Sequence, residues 1–305
     1  MKTKRVELQE IINFISKDIK HIYGNYQHFF VDNVADAAHT NETTLDWINS
    51  NKINKQEMAE FSPAKVILVD SVVTYSEMLM KKGAVLLVVD NPRLIVSKII
   101  TEFFIEKKIP YIHPTAVIDH EAIIDKTAFI DSGCAIGKAT IGKNTVIRAN
   151  VCIYDDVVIG DNCIIQAGSV IGTDGLGCSR EDDGSLVKFP HIGGVVIGNN
   201  IEIGANCQIA RGALSNTIIN DGCKLNGMCF IAHNCVLEKN VWITGSTMLS
   251  GSTYVGANAT IFSNVVVREQ IRIGAGSTIG MGAVVTKHVP AGETWVGNPA
   301  RKIRR

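Results

Sequence analysis

The stretch from Ile219 to Val255, INDGCKLNGMCFIAHNCVLEKNVWITGSTMLSGSTYV, carries a large aliphatic at every sixth position: Ile219, Leu225, Ile231, Leu237, Ile243, Leu249 and Val255. The run goes on through Ile261, Val267, Ile273, Ile279 and Val285. Neither the 3.6-residue period of a helix nor the alternation of a lone strand gives this pattern. Hexapeptide periodicity signals a parallel β-helix. Each hexad supplies one short strand and one turn. Three hexads close a triangular coil, and coils stack at about 4.8 Å. The large aliphatic points inward, and two residues before it lies a second, smaller inward position, filled by Cys223, Cys229, Cys235, Val241 and Thr247.

Toward the N-terminus the same period runs through Ile112, Ile118, Ile124, Ile130 and Ile136. It slips by one residue, continues from Ile141 to Ile171, breaks, and resumes at Ile197, Ile203 and Ile209. The β-helix is therefore expected over 109–288, with 172–196 as an insertion loop. Glycine or aspartate often follows the large aliphatic, as at Gly160, Gly198, Gly204 and Gly274, and is expected to serve the turn. Cys134, Cys163, Cys207, Cys223, Cys229 and Cys235 all hold the small inward position, so they read as packing residues rather than metal ligands or redox thiols. A metalloenzyme on the same scaffold needs three histidines within ligand reach. The later coils offer only His233 before His288, so no metal is expected.

Residues 1–108 lack the hexads and are expected to form a small α/β domain. KVILVD (Lys65–Asp70) and GAVLLVVD (Gly83–Asp90) read as buried strands. NPRLIVSKIITEFF reads as a helix with Asn91 as N-cap and Pro92 in its first turn. Leu8, Ile11, Ile12, Ile15, Ile19 and Ile22 have helical spacing, which predicts one amphipathic N-terminal helix instead of a signal peptide. Residues 289–305 read as a polar cap on the last coil. Lys+Arg and Asp+Glu are both 30, which removes the electrostatic case for nucleic acid or an anionic membrane surface. No apolar run reaches membrane-spanning length, so no stable membrane insertion is expected. The eight cysteines fit a reducing, cytoplasmic location.

Two blocks go beyond the repeat. GTDGLG, with VKFPHIGG and the run to IAHNC, resembles the core of the UDP-3-O-(3-hydroxyacyl)glucosamine N-acyltransferases of the lipid A pathway, and DNPRLIVSKI resembles a segment of their N-terminal domain. These enzymes belong to a superfamily of left-handed parallel β-helix acyltransferases. The resemblance implies that fold, preceded by a small α/β domain, and a homotrimer with active sites between subunits.

It implies that His233, the histidine of IAHN, is the general base and that Gly251 supplies an oxyanion-binding N–H. Residue 251 lies one coil beyond 233, so stacking alone places the two side by side. Trp47 and Asn49 would hold the nucleotide of a UDP- or dTDP-linked amino sugar, and Asn226 and His191 would contact substrate. The chain departs from the family pattern at Ala210, at Asn226-Gly227 and at Gln270.

The tail GAVVTKHVPAGETWVGNPARKI resembles acetyltransferases that use coenzyme A, which implies an acyl-CoA co-substrate met by Lys287, Arg301 and Lys302. The expectation is N-acylation of a nucleotide-linked amino sugar for surface polysaccharide. The alternatives are a lipid A-type N-acyltransferase fed by acyl carrier protein, and a non-catalytic nucleotide-sugar-binding solenoid.

Overall fold

A computed structural model describes residues 5–303. The first four residues of the expected N-terminal domain and the last two of the cap lie outside the described residues. The chain divides into two compact units, Met1–Lys107 and Lys108–Arg305.

The second unit is a left-handed β-helix, a triangular prism of three parallel sheets. Register follows the repeat. Leu225 pairs with Ile243, Ile243 with Ile261 and Ile261 with Ile279 on one face. Ile231, Leu249, Val267 and Val285 form the second ladder, and Leu237, Val255 and Ile273 belong to the third. The inward aliphatics from Ile130 to Val285 are fully or almost fully buried, and the small inward positions, including Thr145, Thr217 and Thr247, are buried with them. The six inward cysteines are free and buried, as their position predicts. Burial pushes the Cys235 thiol up to about 12 and the Cys223 thiol up to about 11, so these sulfurs stay protonated and behave as packing atoms.

The turn is built differently from the expectation. Its left-handed residue is the third after the large aliphatic, and asparagine commonly fills it: Asn200, Asn206, Asn234, Asn240, Asn258 and Asn264 all have φ between 54° and 59°. Asparagine tolerates this region better than other side chains because its short amide bonds locally. Gly160, Gly198, Gly204 and Gly274, directly after the aliphatic, have ordinary φ values and are small for another reason, the close approach of the next coil. A Cβ built on Gly160 would stand 2.5 Å from Asn199 Oδ1 and 2.6 Å from the Gly198 carbonyl oxygen.

The insertion carries a hairpin, Cys178–Arg180 against Leu186–Lys188, and Lys188 Nζ meets Asp174 Oδ2 at 2.5 Å. The repeat also runs past its expected end at residue 288. Val289 is buried and bridges to Ile273, and Trp295 pairs with Ile279. A two-residue shortening of the last coil hid these rungs from the six-residue count. Arg301–Lys302 then folds back antiparallel on Thr294–Val296 to close the prism.

The first unit is a three-layer α/β structure. Leu45–Trp47, Val66–Val69 and Val85–Val89 are parallel, and Ile19–Tyr23 joins the edge antiparallel to Val85–Val89. Val66, Leu68, Val85, Leu87 and Val89 pack with the helices Leu8–Phe14 and Pro92–Ile99 on one side. Ile67, Val69, Leu86 and Val88 pack with Ala59 and Leu79 from two further helices on the other. Asn91 caps its helix by accepting from Leu94 N at 3.1 Å.

The single N-terminal helix expected through Ile22 is not formed. The helix ends at Phe14, and Ile19 and Ile22 lie in the edge strand. A register shift between Ile19 and His21 inserts one residue, Lys20. That bulge turns the two-residue strand period into a three-residue step, so Ile19 and Ile22 share the core-facing side and imitate helical spacing.

Candidate active site

His233 follows the strand Phe230–Ile231 and the buried Ala232, at the first position of a turn. Its ring thus leaves the prism wall instead of entering the core, and Asn234 beside it takes the left-handed position, φ 58°. Asn234 fixes the chemistry of the imidazole. Its Nδ2 donates to Ser215 O at 3.0 Å and Ser215 Oγ at 2.9 Å, and its Oδ1 accepts from Ala213 N at 3.0 Å. The amide orientation is therefore set, and Oδ1 can only accept. His233 Nδ1 lies 3.0 Å from that oxygen, so the network assigns the proton to Nδ1 and leaves Nε2 with its lone pair.

Gly251 stands next to that lone pair. A Cβ built there would lie 2.7 Å from both Cε1 and Nε2 of His233. The Gly251 N–H has no hydrogen-bond partner among the described residues. A basic nitrogen and a free amide donor are thus adjacent, the pair required for proton removal and oxyanion binding. Gly251→Ala is expected to push the imidazole off Asn234 and to lower turnover by about 100-fold or more, the scale of losing one oxyanion donor or a base. Unchanged steady-state rates for this variant would remove Gly251 from the site.

His191, from the insertion, joins this corner. Its ring packs edge-to-face on His233 with centroids 5.2 Å apart. Arg211, one coil below His233, braces the insertion stem: Nε donates to Gly193 O at 2.6 Å and Nη2 to Asp156 Oδ2 at 2.7 Å. Ala210 is buried at the end of its strand, Asp156 is committed to Arg211, and Asp174, next to Gly175, is paired with Lys188, whose contact holds its carboxyl below the ordinary value.

Ladder register extends the corner upward. Two residues beyond the pairs Ile231–Leu249–Val267–Val285 come His233, Gly251, Glu269 and Lys287, one per coil. Lys287 is exposed and stands three coils from His233, about 14 Å at the inter-strand spacing. Gln270 occupies the left-handed position above Ser252, which lies above Asn234.

Asn226, Lys302 and Arg301 have partners of their own within the second unit. Asn226 sits one corner earlier, where its Oδ1 accepts from Gly227 N at 2.7 Å. Lys302 is held by Glu293 at 2.6 Å, and this contact, with the Trp295 Nε1–H bond, lowers the Glu293 carboxyl below its ordinary value. Arg301 turns back to the Ala300 carbonyl oxygen at 2.8 Å. Trp47 and Asn49 belong to the first unit. The Trp47 ring is half-buried against that unit's core, and Asn49 Oδ1 accepts from Asn51 N.

Sequence reasoning missed Asn234, although it lies within IAHN, and it missed Gly175. A Cβ on Gly175 would stand 2.5 Å from His191 Nε2 and 2.9 Å from His233 Cδ2. Among the described residues, the one group able to offer three metal ligands is Asp119, His120 and Glu121, and Lys138 pairs with Glu121. No helix among the described residues is long and apolar enough to cross a membrane.

Comparison with known proteins agrees with this architecture. The bacterial transferase hexapeptide (six repeats) model matches residues 138–173 and 252–287. A UDP-3-O-acylglucosamine N-acyltransferase of Dechloromonas aromatica is 56% identical over 70 residues, covering 23% of this chain and 20% of that protein. One from a Caulobacter strain is 35% identical over 141 residues, covering 46% and 41%. The chain therefore spans less than half the length of these curated relatives. LpxA from Acinetobacter baumannii superposes with a TM-score of 0.57 at 27% identity, covering 63% of this chain and 73% of that one. The UDP-N-acetylglucosamine acyltransferase from Campylobacter jejuni shares the fold, with a TM-score of 0.54 at 24% identity over 63% and 74%. The chain is a hexapeptide-repeat protein similar to the N-acyltransferases of the lipid A pathway.

Proposed function

We propose that the protein is an acyltransferase that moves an acyl group from acyl-CoA to the amine of a UDP- or dTDP-linked amino sugar for surface polysaccharide. The observation that carries this reading is His233, with Nδ1–H tied to Asn234 and Nε2 free beside the unpaired N–H of Gly251. The amine nitrogen attacks the thioester carbonyl carbon. His233 Nε2 takes the proton that nitrogen sheds, and Gly251 N–H donates to the oxyanion. The C–S bond then breaks, and the proton passes to the departing thiolate.

The similarity to proteins named UDP-3-O-acylglucosamine N-acyltransferase supports an amine on a nucleotide-linked glucosamine-type sugar as acceptor. It also favours a second reading, a lipid A-type enzyme with a different acyl donor. The reading includes a homotrimer, which light scattering tests as three chains per particle.

Support for CoA comes from Lys287. It shares a corner with His233 at about 14 Å, a reach suited to an extended pantetheine arm with its diphosphate at the cation. Lys287→Ala is expected to raise the KM for acetyl-CoA about fivefold to tenfold, the scale of one exposed charge-assisted contact, and to leave kcat unchanged. The deciding assay measures free thiol released from acetyl-CoA with UDP- and dTDP-amino sugars, beside acyl carrier protein as donor. Turnover with acyl carrier protein alone selects the second reading. Binding without turnover selects a nucleotide-sugar-binding solenoid.

A further inference from the structure

His191 is buried, and its two ring nitrogens have unequal fates. Nδ1 lies 2.9 Å from the Phe189 carbonyl oxygen, which can only accept, so Nδ1 carries the proton. Nε2 of the neutral ring is then an acceptor, and it is buried with no partner among the described residues. It shares the corner with His233: both rings pack on Gly175, so closely that a Cβ there would stand 2.5 Å from His191 Nε2 and 2.9 Å from His233 Cδ2. A buried acceptor without a donor costs free energy that a ligand N–H or O–H recovers.

We propose that His191 is a specificity-determining residue that accepts the second N–H of the attacking amine and thereby selects amines over hydroxyls. This rests on the acyltransferase reading above. A primary amine brings two N–H groups. As the nitrogen lone pair forms the C–N bond and the C–S bond breaks, one proton passes through His233 Nε2 to the thiolate. The other stays on nitrogen, hydrogen-bonded to His191 Nε2, which gains no proton. A hydroxyl has a single proton, which goes to His233, and His191 remains unpaired. A site that hydrogen-bonds a substrate N–H discriminates against an analogue lacking it for this reason.

The test uses the full chain with acetyl-CoA and a matched pair of probes: UDP-glucosamine as acceptor, and UDP-glucose, with a hydroxyl in place of the amine, as competitive inhibitor. His191→Phe is expected to lower kcat/KM for UDP-glucosamine about tenfold to a hundredfold and to leave the inhibition constant of UDP-glucose within about twofold. His191→Gln, which keeps an acceptor, is expected to recover part of the loss. Equal losses on both probes overturn the proposal and make His191 a packing residue. In the 15N spectrum of the histidine-labelled chain, Nε2 of His191 is expected to be unprotonated and to shift with UDP-glucosamine but not UDP-glucose. A protonated Nε2, or one indifferent to both probes, also overturns it. A selective shift without turnover keeps the amine contact and instead defeats the acyltransferase reading.

Discussion

His233→Ala is expected to lower kcat by about 100- to 10,000-fold, the contribution of a positioned general base. The fold survives, because the ring sits at a turn and none of the prism wall depends on it. The main structural loss is one hydrogen bond to Asn234, worth about 1 kcal/mol. Steady-state kinetics beside a thermal melt separate the two effects. Undiminished turnover defeats the catalytic assignment, and a stability loss above about 3 kcal/mol would give the histidine a packing role instead.

Ile243→Lys is expected to have the largest effect on stability. Ile243 is fully buried and stacks between Leu225 and Ile261. An ammonium placed there finds no anion and lies among aliphatics and thiols, which costs several kcal/mol. Ile243→Ala, which leaves a cavity but no charge, costs about 2–5 kcal/mol. Because a solenoid is held by nearest-neighbour contacts, hydrogen exchange is expected to rise first in the coils flanking residue 243. The neighbouring Trp242 is half-exposed on the outer face, and Trp242→Lys should change stability by no more than about 0.5 kcal/mol. A similar melting temperature for Ile243→Lys and wild type would contradict the inward assignment.

The prism was legible because one physical rule repeats: a large aliphatic and a small residue face inward in every hexad. The same rule placed the cysteines and set Gly251 beside His233 by counting one coil. It failed where geometry broke the count. The bulge at Lys20 gave Ile19 and Ile22 a false helical spacing, and the shortened last coil concealed Val289 and Trp295. The turn was misread because two different constraints make its residues small or polar. Gly160 is small to admit the next coil, whereas Asn234 is there for its backbone conformation.

Of the site, the sequence motif pointed to His233, but neither the tautomer nor the burial of His191 was visible. The first depends on Ala213 and Ser215, brought to Asn234 from the preceding coil, and the second on how the insertion folds back, with Phe189 and Gly175 around His191. Asn226 shows the opposite case. Motif alignment assigned it to substrate, and within one chain it stands at a different corner from the base.

The edge that carries His233, Gly251, Glu269 and Lys287 is graduated like a ruler. A ligand stretched along it meets a new side chain only at steps of about 4.8 Å. The span between His233 and Lys287 is therefore fixed in whole coils. The distance between two positions on this edge changes by insertion or loss of a complete turn of the prism, not by gradual adjustment of a loop.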